Sequence, residues 1–352
     1  MTASTIPDEQ TIRDFWDSHP CGDRLVERLQ ADYEAFFQRY DAYRYNPDHE
    51  GHIPGRLDAI EFKGKRVLEI GLGQGAESEQ MIRRSAVWSG LDLTPESVAR
   101  VRIRLRLRQL PHESLKCGSA LDIPFSNGRF DIVFSHGVLH HIPEVEIAQR
   151  EIARVLKPDG QLIVMLYARR SLNYLLAIAI VRRLALLTIS AVGARPGGII
   201  GAHLSNAKRV GLWRYLQMSN FIHRNTDGPA NPYSKVYDLA RVRADFPAFE
   251  IERSNQNFMH APPLPVRWLK PLAGVLGWHM WVHLKPRSPE GTSKHNSVIA
   301  SNFTPSPPPG RPTYGQKESV PWCPPNASRA AQKQAVPWEL RCAGLSARPN
   351  CC

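Results

Sequence analysis

Three glycines at alternate positions, Gly71, Gly73 and Gly75, follow an apolar run that ends in Glu69-Ile70. Residues without a Cβ turn the backbone sharply and let it approach a ligand closely, and the helix that follows offers free N–H groups. Alone the pattern is ambiguous, because with Ala76 it also satisfies the relaxed dinucleotide fingerprint GxGxxA. Two acidic residues separate the readings. Glu69 stands two residues before the first glycine, where its charge would repel a pyrophosphate but hold a methionine-like ammonium group. Asp92 ends the next apolar run, at the distance where an acid accepts hydrogen bonds from two ribose hydroxyls.

Groups able to move a proton come later in the chain. His136, His140, His141 and Tyr167 all fall near the carboxyl ends of apolar runs, where ligands of parallel sheets bind. For His140 and His141, packing at a helix start is an equally open reading. His136 and His140 stand four apart, but no acidic or histidine partner follows at ligand spacing, so no metal is expected. The six cysteines show no zinc-type pairing either, and four of them (Cys323, Cys342, Cys351 and Cys352) lie in a proline-rich tail. A disulfide framework is therefore not expected. With no apolar segment following basic residues at the N-terminus, the cysteine usage points to the cytoplasm.

The elements that must position these residues can be read from apolar periodicity. Lys65 to Gly75 is a strand entering a glycine turn, Ala86 to Leu93 a second strand, Arg129 to Gly137 another, and Gln161 to Tyr167 a further one. Between Thr94 and Leu110 the pattern alternates like a strand from Val101 to Leu107. Thr94 as N-cap, Pro95 at the first helical position and Glu96 in the first turn nevertheless predict a helix. Glu144 to Lys157 predicts a helix ended by Pro158 and Gly160. Beyond Tyr167, Asp238 to Phe258 reads as a helix and a strand, and Gly277 to Pro286 as a last strand. Such alternation of buried strands with helices indicates a doubly wound, Rossmann-like α/β fold with seven mostly parallel strands. Ahead of it, Leu25, Leu29, Tyr33, Phe36, Phe37 and Tyr40 recur at helical spacing, giving residues 1–61 as a helical cap. The main domain is then 62–286, with a cap insert at about 170–231. Residues 287–352 have many prolines and no apolar period, and are expected to be disordered.

The stretch Lys65 to Tyr167, with Glu69-Ile70-Gly71-Leu72-Gly73-Gln74-Gly75, Asp92 and the text from Gly118 to Glu144, resembles the core of the class I S-adenosylmethionine-dependent methyltransferases. Within that class it is most similar to the ubiquinone and menaquinone biosynthesis family. The flanking segments "FWDSHPCG", "HIPG", "MLYARRSLNY" and "HRNTDGPANPYSKVY" resemble a bacterial branch of it, so the likeness covers most of Asp14 to Pro286. It is specific for the cofactor, S-adenosylmethionine, and says little about the methyl acceptor. It implies that Glu69, Gly71, Gly73 and Gly75 form the methionine-side loop, that Asp92 binds the ribose and that Leu93 touches adenine. Where the family's pattern has aspartate before the alanine of its next motif, this chain has Ser119 before Ala120, a neutral and weaker acceptor for the adenine amino group. Ser135 and His136 would pass under the methionine. His136, His141 and Tyr167 are the catalytic candidates, a base being needed only if the acceptor must lose a proton.

The formal charge of +12 admits an anionic partner, and the run Arg100 to Arg108 keeps a nucleic-acid or protein substrate open as an alternative. A SAM-binding protein without transfer is another. Because the basic excess is spread over several segments, a nucleic-acid partner is not expected, and a small acceptor is. Leu172 to Val192 is very apolar but cut by Arg182 and Arg183, which leaves each half too short for a bilayer. Following Tyr167 directly, it should roof the acceptor pocket, which favours an apolar acceptor and leaves peripheral membrane contact open. The oligomeric state has no signature. Asn231-Pro232-Tyr233 is similar to a motif of nucleic-acid amino-methyltransferases but follows the wrong strand for that chemistry.

Overall fold

The computed structural model describes residues 6–22 and 32–287. β1 (Arg66–Ile70) is buried at four of its five positions because it has a parallel strand on each side. One neighbour is β2 (Val87–Asp92), with Glu69 opposite Gly90. The other is β4 (Phe130–His136), with Leu68 opposite Val133. β3 (Ser114–Cys117), β5 (Leu156–Tyr167), β6 (Phe249–Asn257) and β7 (His279–Pro286) complete a seven-stranded sheet in the order β3-β2-β1-β4-β5-β7-β6. All pairs are parallel except those of β7, which runs antiparallel to β5 and β6. The expected seven strands are thus present. The one that the sequence pattern did not locate is β3, a short edge strand with no fully buried residue.

Both faces of the sheet are covered, as its apolar strands require. In β5, Ile163, Met165 and Tyr167 join one core with Val67, Trp88, Phe134 and Trp281. Leu162, Val164 and Leu166 join the other with Leu68, Leu91 and Val133. The chain order reverses between β1 and β4, which opens a crevice at their carboxyl ends.

The helices follow from local chemistry. α1 (Glu9–Ser18) starts at Asp8, whose carboxylate accepts from Thr11 N at 2.9 Å. α2 (Tyr33–Arg44) starts at Asp32 and buries Phe36, Phe37 and Tyr40; Leu25 and Leu29 lie outside the described residues. α3 (Ile53–Asp58) leads into β1, and α4 (Ala76–Arg83) leaves the glycine loop. In α5 (Pro95–Leu107), Thr94 is the N-cap and Val98, Val101 and Leu105 are buried, so the helical period prevails over the strand-like alternation. α6 (Val145–Val155) ends before the expected Pro158-Gly160 stop, because the residue before a proline is driven to extended backbone and Leu156 already belongs to β5.

After β5 the chain leaves the sheet and returns beside its exit. Tyr237 N donates to Tyr167 O at 2.8 Å and Arg169 N to Tyr237 O at 2.7 Å. Between these points lies α7 (Asn173–Ala191), whose first half to Arg182 is wound in the wider i→i+5 spacing. Then come α8 (Gly198–Val210) and the short turns Leu212–Leu216 and Met218–Phe221. α9 (Leu239–Asp245) follows the return. Arg182 and Arg183 do not cut the apolar stretch as expected. Arg182 turns inward and donates to Asn225 O at 2.7 Å and to Pro262 O at 2.7 and 2.9 Å, so the helix continues past it.

Three arginines of the run Arg100 to Arg108 are engaged within the protein, whereas Arg102 and Arg106 are exposed. Arg104, 1% exposed, donates to Glu79 of α4 at 2.9 Å, to Gln74 O of the glycine loop at 3.1 Å and to Asp41 of α2. Arg108 adds Glu34 and Asp41, and Arg100 pairs with Glu96. Arg104→Ala would take one cation from the buried Glu79 and the donor from Gln74 O, with Arg108 still paired to Glu79 and Asp41, and should lower the unfolding free energy by about 1.5–3 kcal/mol. The exposed Arg102→Ala should change it by no more than about 0.5 kcal/mol in the same urea titrations.

Candidate active site

The crevice at the switch point is a cleft lined by the glycine loop, the end of β2 and residues of α1 and α2. Its floor is the glycine loop. A Cβ at Gly71 (φ +80°) would stand 2.1 Å from Val138 Cγ2, so no other residue fits there. At Gly73 (φ +50°) the nearest atom to such a Cβ is Cys21 Cβ at 4.0 Å, which leaves that peptide open towards the cleft. Gly75 (φ +76°) precedes α4 and faces Val101 and Arg104 instead of the cleft.

Asp92 holds this floor in place. One carboxylate oxygen accepts from Leu72 N at 2.6 Å, and the other from Thr94 N and Thr94 Oγ1, both at 2.8 Å. Burial pushes its pKa above the ordinary carboxylate value, while the N–H groups of Leu72, Thr94 and Gly73 draw it back. Oδ1 already accepts two bonds, so a ribose hydroxyl would be taken by Oδ2. Leu93, Gly118, Ala120 and Leu121 line the wall beside it, and Ile12 of α1 lines the cleft as well. A glycine floor, an acid at the end of β2 and an apolar slot are the features that ribose and adenine require, so the residues fit S-adenosylmethionine.

Several expected contacts fall elsewhere. Glu69 does not line the cleft. It accepts from Ser78 Oγ at 2.5 Å and Trp88 Nε1 at 2.8 Å beneath the loop, and burial pushes it up to about 8. It is therefore largely uncharged near neutral pH and not aimed at an ammonium group. Ser119 also misses the lining. Its hydroxyl donates to Glu9 and accepts from Leu121 N at 2.9 Å. Glu9 itself lines the cleft. Ser135 is fully buried and donates to Ile70 O at 3.0 Å, so it supports the floor from below.

At the amino-acid end the structure brings in residues that sequence reasoning missed. Arg44 of α2 and Glu77 of α4 line the cleft and pair with each other at 2.6 Å, offering a cation and an anion to a zwitterion. Their sequence separation of 33 gave no signal. Arg44 Nη2 also donates to His136 Nδ1 at 3.1 Å. The ring must accept there, so its proton sits on Nε2 and His136 is a hydrogen-bond donor, unsuited to act as a base. Burial, and then Arg44, hold it well below the ordinary value of 6.5. Glu50, His136 and His279 bring potential ligand atoms within 4.8 Å of one another. The Arg44 guanidinium bonds this His136 and stands 3.4 Å from Glu50, so a cation already occupies the cluster.

His141 and Tyr167 share the opposite wall of the cleft. His141 Nδ1 meets Tyr233 O at 2.7 Å and must donate to it, which leaves the Nε2 lone pair 3.4 Å from Asp227. Tyr167 donates to the same carboxylate at 2.6 Å, and Asn231 Nδ2 donates to it at 3.2 Å. Asp227 was not legible in the sequence, being 60 residues from Tyr167. His140, in contrast, is fully buried with its ring 3.9 Å from that of Tyr167, and neither of its nitrogens is hydrogen-bonded. It packs. The insert does not roof the cleft as expected: α1 covers it with Glu9, Ile12 and Trp16, and among the described residues none between 168 and 231 lines it.

Residues 68–164 match the family described as "Methyltransferase domain". A ubiquinone biosynthesis O-methyltransferase of Azoarcus sp. is 28% identical over 204 residues, 57% of this chain and 84% of that one. Tocopherol O-methyltransferase, chloroplastic, of Arabidopsis thaliana is 31% identical over 115 residues, 32% of this chain and 33% of that one. The chain spans from a third to just over half of the length of most curated relatives it matches. Among solved structures, a SAM-dependent methyltransferase from Aquifex aeolicus superposes with a TM-score of 0.42 and 13% identity, covering 70% of this chain and 98% of that one.

Two outcomes are expected. Asp92→Ala removes a charged acceptor from three donors and should weaken S-adenosylmethionine binding by about 10- to 150-fold, from about 1.5–3 kcal/mol per such bond; unchanged affinity by calorimetry would dismiss the assignment. The folded chain holds a proton on Glu69 up to about pH 8 that an ordinary glutamate releases near 4.5, so stability falls as pH rises through that window. Glu69→Gln should flatten this fall between those pH values in thermal melts; a wild-type slope in the variant would rule the linkage out.

Proposed function

We propose, from a chain that carries a class I S-adenosylmethionine-dependent methyltransferase domain of the ubiquinone-biosynthesis-like kind, that it methylates a hydroxyl oxygen of a small, apolar acceptor. The observation that carries this reading is the His141–Asp227–Tyr167 cluster in the wall of the cleft. An oxygen acceptor must lose a proton as the new bond forms, and this cluster is built to take one.

S-adenosylmethionine supplies the electrophilic methyl group on a positively charged sulfur. Asp92 and Leu93 would hold its nucleoside, and Arg44 and Glu77 its amino-acid end. The acceptor hydroxyl's proton passes to this cluster, in which His141 Nε2, buried and 3.4 Å from Asp227, carries the ring's lone pair because Nδ1 is bonded to Tyr233 O. The imidazolium so formed lies beside Asp227, whose position is fixed by Tyr167 and Asn231. Asp227 faces the same nitrogen and stabilises the charge of the protonated ring, while the bond from Nδ1 to Tyr233 O fixes the ring's orientation. Trp16 of α1 stands edge-on to His141 with ring centroids 4.9 Å apart and keeps water from the base. The lining around it, with Ile12, Val138, Ile142 and Met165, favours an apolar acceptor.

The relatives named as O-methyltransferases support the same reaction class. A nucleic-acid substrate has less support, because Arg100, Arg104 and Arg108 are engaged in internal ion pairs. With a panel of alkyl-substituted phenols as acceptors, His141→Ala should lower kcat by about 10²- to 10⁴-fold. S-adenosylmethionine affinity should stay within about twofold of wild type. A His141→Ala enzyme that keeps kcat would exclude His141 as the base.

A further inference from the structure

We infer that α7 and the start of α8 form a docking surface for an anionic phospholipid bilayer, lying in the plane of the membrane without crossing it. α7 has 19 residues and a mean hydropathy of 1.8, which is long and apolar enough to span. Its apolar residues divide between two faces. Ala177, Ile178 and Leu186 are buried in the protein, whereas Leu176, Ile180 and Leu184, spaced four apart, are exposed. The surface continues beyond the helix end through Val192 and into α8 through Ile199 and Ile200, all exposed. Apolar side chains gathered on one face of consecutive elements are an unsatisfied surface, unlike the scattered exposed leucines of an ordinary protein.

Charge identifies what covers it. From Gln161 to Thr226 the sequence has no aspartate or glutamate and nine lysines and arginines, against a net charge of +12 for the whole chain. Arg195 stands exposed between the two helices, and Lys208 and Arg209 are exposed at the far end of α8. Trp213, 75% exposed, follows them. An apolar stripe flanked by basic residues and a tryptophan is the composition of a helix that sits at the headgroup level of an anionic membrane. A second copy of the chain would instead bring one acid-free cationic face against another. Spanning is opposed by Arg182, tied at mid-helix to Asn225 O and Pro262 O, and by the buried residues beneath it. The docking surface does not depend on the reaction proposed above.

The test uses the full chain and sedimentation with vesicles of phosphatidylcholine, alone or with about 30% phosphatidylglycerol, at about 0.1 M salt. With each basic residue near an anionic surface contributing about 1 kcal/mol, binding to the anionic vesicles should exceed binding to the neutral ones at least about tenfold. The double variant Leu184→Glu, Ile200→Glu should lose at least about tenfold in partitioning, with melting temperature and S-adenosylmethionine affinity unchanged. No sedimentation with anionic vesicles, equal binding to both compositions, or wild-type binding by the double variant would each overturn the proposal. So would a wild-type dimer in light scattering that the double variant abolishes, since a second copy would then cover the face.

Discussion

One carboxylate fixes the geometry on which the cleft depends. Asp92 sits at the end of β2, yet its oxygens are bonded to the loop after β1 and to the first turn before α5. A loop of glycines with positive φ has many conformations of similar energy, and the bonds from Leu72 and Thr94 select one of them. Those N–H groups would otherwise be buried without partners, and Asp92 would be a buried anion without donors. Each solves the other's desolvation, and the by-product is a notch between two immobilised turns.

The second constraint is how the N-terminal helices are attached. α2 has little apolar surface to spare beyond its aromatic residues, and its polar side is joined to the sheet domain by arginines. Arg104 reaches α2, α4 and the glycine loop at once, and its guanidinium lies over Phe37 at 4.9 Å. Arg44 does the same at the other end of α2 towards Glu77 and His136. Both walls of the cleft at its amino-acid end are therefore positioned by charge pairs with little access to solvent. Such pairs are costly to break singly and so favour one arrangement.

Much of this was legible in the residues. Buried parallel strands announce themselves as apolar runs, and Thr94, Pro95 and Glu96 mark a helix start strongly enough to outweigh a misleading alternation. Gly71 and Asp92, read as neighbours in one site, both line the cleft, because their spacing follows from strand and loop lengths. What could not be read depends on partners distant in sequence. Whether Arg104 faces solvent or Asp41 and Glu79, whether Arg182 interrupts a helix or turns inward, and which acid stands beside His141 are all decided by tertiary packing. Glu69 shows a different limit. Its place in the motif was clear, but the direction of its side chain is set by Trp88 and Ser78, which nothing in the motif specifies. β3 escaped notice because a short, half-covered edge strand has no apolar pattern to show.

The pair of backbone hydrogen bonds between Tyr167, Arg169 and Tyr237 has a consequence for how such a protein can diversify. The insert leaves and re-enters the sheet domain at one point, so the entropy of closing that loop is already met by the strand ends and grows only slowly with length. The segment behaves as a cassette. Its outer helices can be exchanged, lengthened or recharged without shifting the register of any strand, and so without disturbing the notch at Asp92. Only its last stretch and the residues after it, which bring Asp227 and Tyr233 against His141 behind the cleft wall, must be retained. Selection can thus alter the outer surface of this segment independently of the cleft.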